Sequence, residues 1–147
     1  MPGRYYRELQ NIHINCEAPR AYYIPFESEE KADKAREASA FFTSLNGEWD
    51  FRFFPDVEEL ALETETFPGT AECTDKMPVP FCWQLKSGMG YDVPQYINQD
   101  YPYPVDPPFL PDAIPCGFYR RTKNLKKRAD KKYYINFEGV SSCFYLW

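Results

Sequence analysis

The sequence predicts an all-β protein that folds as an antiparallel β-sandwich. Apolar and polar residues alternate over short segments, turn signals separate these segments, and long proline-rich stretches lie between them. Alternation with a period of two is typical of a strand that buries one face, and a series of short strands is typical of two packed antiparallel sheets. The chain has 147 residues, which is enough for one domain with a hydrophobic core.

The best helix candidate is ESEEKADKAREA, residues 27–38. Ser28 can cap it, acidic residues lead its first turn, and Arg36 lies near its end, where the helix dipole favours a cation. Its apolar face contains only alanine, so we expect one or two weakly packed turns at the surface.

The clearest strand follows Asn46-Gly47, a pair that favours a type I′ hairpin turn. After it, Trp49, Phe51 and Phe53 alternate with charged residues, as in a half-buried strand. PDVEEL (55–60) predicts one helical turn. The further strand candidates are GFYRRT (117–122), KYYINFEGV (132–140) and CFYLW (143–147).

The last strand candidate ends at Trp147, inside an apolar run. An unpaired apolar strand of this kind recruits other chains, so natural domains seldom end on one. We therefore expect the chain to be the front piece of a longer protein, with the sandwich incomplete at its C-terminal side.

Composition excludes several classes of protein. No apolar run approaches the ~18 residues of a membrane span, the polar start is not a secretory signal, and a net charge of −5 disfavours general nucleic-acid binding. Five cysteines without a C-x-x-C pair, and one histidine, argue against a disulfide framework and a zinc site. Reduced thiols are typical of a cytoplasmic protein.

One segment, Arg120–Lys132, is locally basic, with eight basic residues and one acid. It could bind phosphate groups, or it could be a solvated connection whose lysines protect a sheet edge. No aromatic residue interleaves with the basic ones, unlike in single-strand binding grooves, so we favour the connection.

No catalytic residue is predicted in this chain. The sequence lacks G-x-S-x-G, the P-loop and G-x-G-x-x-G. A Ser-His-Asp triad would have to use His13, which lies in a polar stretch near the N-terminus. Glu138 is the nearest candidate for a tuned carboxylate, but its position favours a turn residue at a strand end.

Residues 94–115 hold seven of the 14 prolines, interleaved with tyrosines. Proline excludes a helix or a central strand, and the aromatic content argues against a flexible linker, so we expect a stiff, extended loop. In it Tyr96, Asn98 and Asp100 occupy alternate positions and could present a ring and polar groups to a sugar. The pattern alone favours the alternative, in which Asn98 is a turn residue bonded to its own backbone.

At these residues the chain resembles the N-terminal region of multidomain β-galactosidases of glycoside hydrolase family 2. L-N-G-x-W is shared with relatives that cleave other β-glycosides, whereas the Pro/Tyr block is more specific to β-galactosidases. The matching blocks are SLNGEWDF (44–51), PVPFCWQ (78–84), GYDVPQYINQDYPYPVDPPFLP (90–111), GFYRRT (117–122) and INFEGVSSCFYLW (135–147), and residues 14–32 resemble the lead-in.

The resemblance implies a jelly-roll β-sandwich of the galactose-binding type, with residues 1–43 as a lead-in arm and residues 44–147 as an incomplete sugar-binding domain. In the family this domain packs against a later (β/α)₈ barrel. The barrel carries the two glutamates of retaining hydrolysis and most magnesium and sodium ligands. The chain alone is therefore expected to be inactive and to hold no cofactor.

The resemblance also implies a site. The family's Tyr-Thr-Asn-Val block, here Tyr96-Ile97-Asn98-Gln99, reaches into the active site, where its Asn lines the galactoside pocket. Asn98 and Gln99 are thus the expected substrate-binding residues. The chain departs from the family at Ile97 and Gln99, and KSGM (86–89) replaces a shorter Met-His before Gly90.

The function expected from the resemblance is hydrolysis of terminal β-D-galactosides such as lactose by the intact, cytoplasmic, homo-oligomeric enzyme. Its partners would be the galactoside and the remaining domains, with no nucleic acid or membrane. Two alternatives stay open: a stand-alone carbohydrate-binding module, and a structural β-domain for protein–protein contact.

Overall fold

The computed structural model places a small antiparallel sheet at the centre of the chain. It describes residues 8–63, 72–86, 88–96, 98, 106, 111, 113–141 and 143–147. Three strands pair in the order β2-β1-β3: β1 is Gly47–Phe54, β2 is Asp75–Val79 and β3 is Cys116–Arg120. The other described elements are the helices α1 (Glu29–Ala32) and α2 (Val57–Glu63) and 3₁₀ turns at Leu9–Asn11, Arg36–Ala38 and Trp83–Leu85. The antiparallel sheet and the low helix content agree with the all-β prediction.

The central strand β1 has one aromatic face. Phe51 lies opposite Tyr119 of β3, and Trp49 lies opposite Met77 of β2. Because successive strand residues point to opposite faces, Trp49, Phe51 and Phe53 share one face. Phe51 and Met77 are fully buried. The alternation predicted for this strand is therefore confirmed, and β3 confirms the strand candidate at 117–122 to within two residues at each end.

The short helix α2 begins directly after β1 and contacts it. Asp56 caps it, because its carboxylate accepts the N–H of Glu58 at 2.9 Å. Leu60 is buried in the small core. The helical turn predicted over residues 55–60 is confirmed.

The helix candidate over residues 27–38 forms only in part. α1 covers four residues, and a separate 3₁₀ turn follows at Arg36–Ala38. Ser28 occupies the N-cap position, but its side chain makes no capping hydrogen bond. No residue of either turn is buried, as expected for weakly packed surface turns.

The predicted hairpin at Asn46-Gly47 is wrong. Gly47 is the first residue of β1, with φ +126°, and no strand precedes it in the described part of the chain. The carbonyl of Leu45 instead accepts the indole N–H of Trp49 at 2.8 Å and the guanidinium of Arg121 at 2.9 Å. Arg121 also donates to the carbonyl of Asn46 at 2.9 Å. Leu-Asn-Gly-x-Trp therefore anchors a distant arginine.

The strand candidates at 132–140 and 143–147 form no strand in the residues of these segments that the structure describes. A strand needs a neighbour that completes its hydrogen-bond ladder, and these segments are not paired with the sheet. Their rings contact one another: Phe137 and Phe144 lie 4.6 Å apart between ring centroids.

Candidate functional site

The predicted substrate residue Asn98 lies at the surface. Asn98 is exposed, and Tyr96, two residues earlier, has 86% of its surface accessible. Gln99 lies outside the described residues. The assignment of Asn98 and Gln99 to substrate binding stays a prediction.

The root of the loop that carries Asn98 is fixed by polar contacts to strand β2. One carboxylate oxygen of Asp75 accepts hydrogen bonds from the Tyr91 hydroxyl and, at 3.1 Å, from the Lys86 ammonium. Lys86 also donates to the carbonyl of Lys76 at 2.6 Å. The second oxygen of Asp75 accepts the backbone N–H of Lys76 at 2.7 Å. Both oxygens of this carboxylate are therefore occupied.

Aromatic rings pack the same root against the sheet. The centroid of the Tyr91 ring lies 5.4 Å from that of Phe51 and 5.3 Å from that of Phe53. The centroid of Trp83 lies 6.2 Å from Phe51 and 6.0 Å from Phe53. These distances are typical of attractive aromatic pairs. Residues on both sides of the turn at 86–90 are thus seated on the face of β1.

Comparison with known proteins places this sheet and loop in a family. The family described as "Glycosyl hydrolases family 2, sugar binding domain" matches residues 42–147. The chain belongs to this family. No solved structure matches the chain.

Among the relatives of this sugar-binding domain are three proteins named β-galactosidase. The one from Actinobacillus pleuropneumoniae is 40% identical over 97% of the chain, and the one from Staphylococcus xylosus is 36% identical over 98%. The one from Priestia megaterium (strain DSM 319 / IMG 1521) is 35% identical over 99%. The chain spans only 14%, 14% and 15% of the lengths of these relatives.

Two ionisable groups at the root of the loop in the sugar-binding domain have shifted pKa values. The Tyr91 hydrogen bond, followed by the backbone N–H of Lys76, lowers the pKa of Asp75. Burial, followed by the hydrogen bond to Asp75, raises the pKa of Tyr91 to about 12. At neutral pH the pair is a carboxylate that accepts and a neutral phenol that donates. Such a pair stabilises a contact and leaves no proton poised for transfer near pH 7.

The other polar features of the sugar-binding domain do not assemble a catalytic site in the described residues. Glu138 lies in a bend, pairs with Arg36 at 2.5 Å and is more than half exposed, but no strand ends at it in the described residues. Residues 122–132 of the basic segment are exposed and lie outside helices and strands, as expected for a solvated connection. No helix of the described residues has the length and apolarity to cross a bilayer.

Two surface depressions of the sugar-binding domain lie elsewhere, and Asn98 lines neither. The first, about 360 Å³, combines a basic and an aromatic wall; the second, about 280 Å³, is almost entirely charged. The lining residues are Glu17, Lys127, Lys131, Lys132, Tyr133 and Tyr134 in the first, and Glu48, Asp50, Lys76, Arg120, Arg121 and Thr122 in the second.

Sequence reasoning missed the three polar residues at the loop root. Asp75 carried a usable signal, because it alternates with Met77 and Val79 and so stands on the buried face of its strand. A carboxylate at such a position requires partners. The sequence does not show which residues these partners are. Lys86 and Tyr91 reach the carboxylate of Asp75 only because the chain turns after Trp83.

Proposed function

We propose that the chain is the sugar-binding domain of a β-galactosidase that hydrolyses terminal, non-reducing β-D-galactose residues in galactosides such as lactose. The observation that carries this proposal is the identity of 35–40% to three β-galactosidases over nearly the whole chain. The match to the family's sugar-binding domain over residues 42–147 supports it independently.

The proposed architecture is a jelly-roll β-sandwich formed by residues 44–147, preceded by a lead-in arm over residues 1–43. The sheet β2-β1-β3 would be part of one of its layers. Two observations support a second layer: β1 buries an aromatic residue on each face, Phe51 on one and Phe54 on the other, and large apolar side chains at 133–147 stay exposed in this chain. The remaining domains of the same enzyme are the proposed partners of that exposed surface.

The proposed role of the domain is to supply part of the galactoside pocket. Asn98 is exposed, so its amide can donate to and accept from sugar hydroxyls, and Gln99 would contribute next to it. The acid/base and the nucleophile of retaining hydrolysis would come from another domain. The carboxylates discussed above are engaged, Asp75 with Tyr91 and Lys86 and Glu138 with Arg36.

The intact enzyme would use magnesium and sodium ions. The described residues contain no group of three or more His, Cys, Asp or Glu side chains that could hold a metal ion. We propose that these ions are held elsewhere in the enzyme. All five cysteines are free, which supports a reducing compartment such as the cytoplasm. Homo-oligomerisation of the intact enzyme is part of the same proposal.

The proposal is tested with the intact protein that contains this chain and with residues 1–147 alone. We expect the intact protein to cleave a chromogenic β-galactoside and residues 1–147 to give no hydrolysis above a buffer blank. Asn98→Ala in the intact protein should raise KM by about 2- to 12-fold, the equivalent of one neutral hydrogen bond. Asn124→Ala, in the exposed basic connection, is the control and should change neither constant.

Two outcomes would contradict the proposal. Galactoside binding by residues 1–147 with no hydrolysis by the intact protein would favour the stand-alone carbohydrate-binding module. Unchanged kinetic constants for Asn98→Ala, together with a melting temperature several degrees lower, would make Asn98 a turn residue.

A further inference from the structure

Lys86 makes a specific contact at the start of the loop that leads to Asn98. It lies at the C-terminal end of the 3₁₀ turn Trp83–Leu85. Its ammonium bonds to Asp75 and to the carbonyl of Lys76, and it lies 5.9 Å from the centroid of the Tyr91 ring. The side chains of Lys86 and Asp75 are only 27% and 21% exposed. The ammonium of Lys86 is therefore held by a carboxylate, a backbone carbonyl and an aromatic ring.

The turn after Lys86 brings Tyr91 back to the same carboxylate. Gly88 and Gly90 have φ of +80° and +72°, a left-handed backbone that glycine adopts without strain. This reversal lets Lys86 and Tyr91 donate to one oxygen of Asp75 from the two ends of the turn. Charge-assisted hydrogen bonds of this kind are stronger than neutral ones. The two ends of the turn, Lys86 and Tyr91, are therefore held together through Asp75.

Beyond Tyr91 the described contacts become local. Asp92 accepts the N–H of Val93 at 2.9 Å, and Gln95 donates to the carbonyl of Val93 at 3.4 Å. Asn98 follows Tyr91 by seven residues, which can span at most about 24 Å when extended. Tyr91 is thus the last described anchor to the sheet before Asn98, and a shift at this anchor would move the tip of the loop.

We propose that Lys86, Asp75 and Tyr91 form a clamp that positions Asn98 for the galactoside. The clamp rests on the proposed function, because its effect on the substrate is exerted through Asn98. The three are positioning residues and do not touch the sugar. Holding a binding group in place before the substrate arrives reduces the entropy lost on binding, so loosening the clamp weakens binding without removing a substrate contact.

The main test is a set of variants of the intact enzyme with a chromogenic β-galactoside. Tyr91→Phe keeps the ring on Phe51 and Phe53 and removes only the hydroxyl. We expect it to raise KM by about 2- to 10-fold with kcat unchanged, as for a loss of uniform binding. Lys86→Met should act in the same direction. Tyr133→Phe is the control: it removes a hydroxyl that accepts the N–H of Arg128 and donates to the carbonyl of Lys126, away from the loop root, and it should leave both constants unchanged.

A double variant separates positioning from simple stability. In Tyr91→Phe combined with Asn98→Ala, KM should rise no further than in Asn98→Ala alone, because the clamp acts only through the amide that is already missing. Independent, multiplicative effects on KM would overturn the clamp. So would a lower melting temperature for Tyr91→Phe with KM unchanged.

A second readout does not depend on galactoside hydrolysis. Tyr96 is 86% exposed, so chymotrypsin can cleave after it once the loop enters the protease site. We expect faster cleavage after Tyr96 in Tyr91→Phe and Lys86→Met, and equal rates in Tyr133→Phe and the unmodified enzyme. Equal rates in all four proteins would overturn the clamp.

The kinetic variants separate the clamp from the proposed function. If Asn98→Ala changes KM and Tyr91→Phe does not, only the clamp is wrong. If Asn98→Ala changes nothing, the proposed substrate role of Asn98 is wrong, and the positioning role is wrong with it.

Discussion

At the scale of the residue, the packing of the sheet face depends on the missing side chain of Gly117. This residue of β3 lies opposite Phe53, beside the indole of Trp83. A Cβ at residue 117 would lie 2.4 Å and 2.7 Å from two carbons of the Trp83 ring and 3.0 Å from the Phe51 ring. These distances are below normal van der Waals contact, and both rings are held by their neighbours.

Gly117→Ala should therefore lower the stability of the protein. Overpacking in a filled site typically costs about 1–3 kcal/mol, because the neighbouring rings must leave their preferred positions. We expect a lower melting temperature for Gly117→Ala, measured by differential scanning calorimetry on the intact protein. Gly139→Ala is the matched control, since a Cβ at that position would meet no atom within 4 Å. Equal melting temperatures in both variants would show that Trp83 can move aside at little cost.

At the scale of the element, local sequence patterns correctly predicted the elements that depend on nearby residues. The alternation in β1 and the helical turn at α2 both formed, because side-chain periodicity and the Asp56 cap are set within a few residues. The hairpin at Asn46-Gly47 failed because Arg121, far along the chain, takes the carbonyls of Leu45 and Asn46. The sequence shows neither that contact nor the bonds from Asp75 to Lys86 and Tyr91. A hydrogen bond between two polar groups far apart in the chain leaves no repeating pattern in the sequence, so it could not be predicted.

The link between β2 and the loop should make stability depend on pH at both extremes. The folded pKa of Asp75 is lowered, so its contribution is present above the ordinary value of 3.8 and is lost as the pH falls below it. The folded pKa of Tyr91 is raised from 10.0 to about 12, so its contribution is present below pH 10 and is lost as the pH rises towards 12.

The measurement compares melting temperatures of the intact protein and its Tyr91→Phe variant across pH. The difference should be constant between these limits and should shrink below pH 3.8 and between pH 10 and 12. A difference between Tyr91→Phe and the unmodified protein that stays constant through both ranges would mean that the Asp75–Tyr91 bond does not contribute to folding.

At the scale of the whole molecule, composition and motifs were sufficient to predict the family but not the extent of the core. The described residues bury only four apolar side chains, Phe51, Phe54, Leu60 and Met77. A core of this size is small for the part of the chain that the structure describes. The C-terminal segment is rich in apolar residues, yet its described residues remain exposed and form no strand. An alternating pattern shows that a segment can form a strand, but the strand forms only where a neighbouring strand pairs with it.

The exposed rings of that segment contact one another in pairs. The ring centroids of Phe137 and Phe144 lie 4.6 Å apart, and those of Tyr145 and Trp147 lie 5.5 Å apart. Between 38% and 56% of the surface of Phe144, Tyr145, Leu146 and Trp147 is accessible. Exposed apolar patches bind apolar dyes and other chains. Under the proposed function, the remaining domains of the enzyme would cover this surface.

Residues 1–147 purified alone should therefore bind the dye ANS strongly and self-associate as their concentration increases. Replacing Phe144, Leu146 and Trp147 by serine should reduce ANS fluorescence and light scattering, because it removes adjacent members of one patch. The matched control replaces three exposed apolar residues that lie far apart in the sequence, Leu9, Val93 and Leu125, which are 71%, 62% and 56% accessible. It should have a smaller effect, since scattered apolar side chains are normal on protein surfaces. Equal reductions in both triple variants, or little ANS binding by residues 1–147, would show that the aromatic segment is covered within this chain. A sharp two-state melt would then be expected as well.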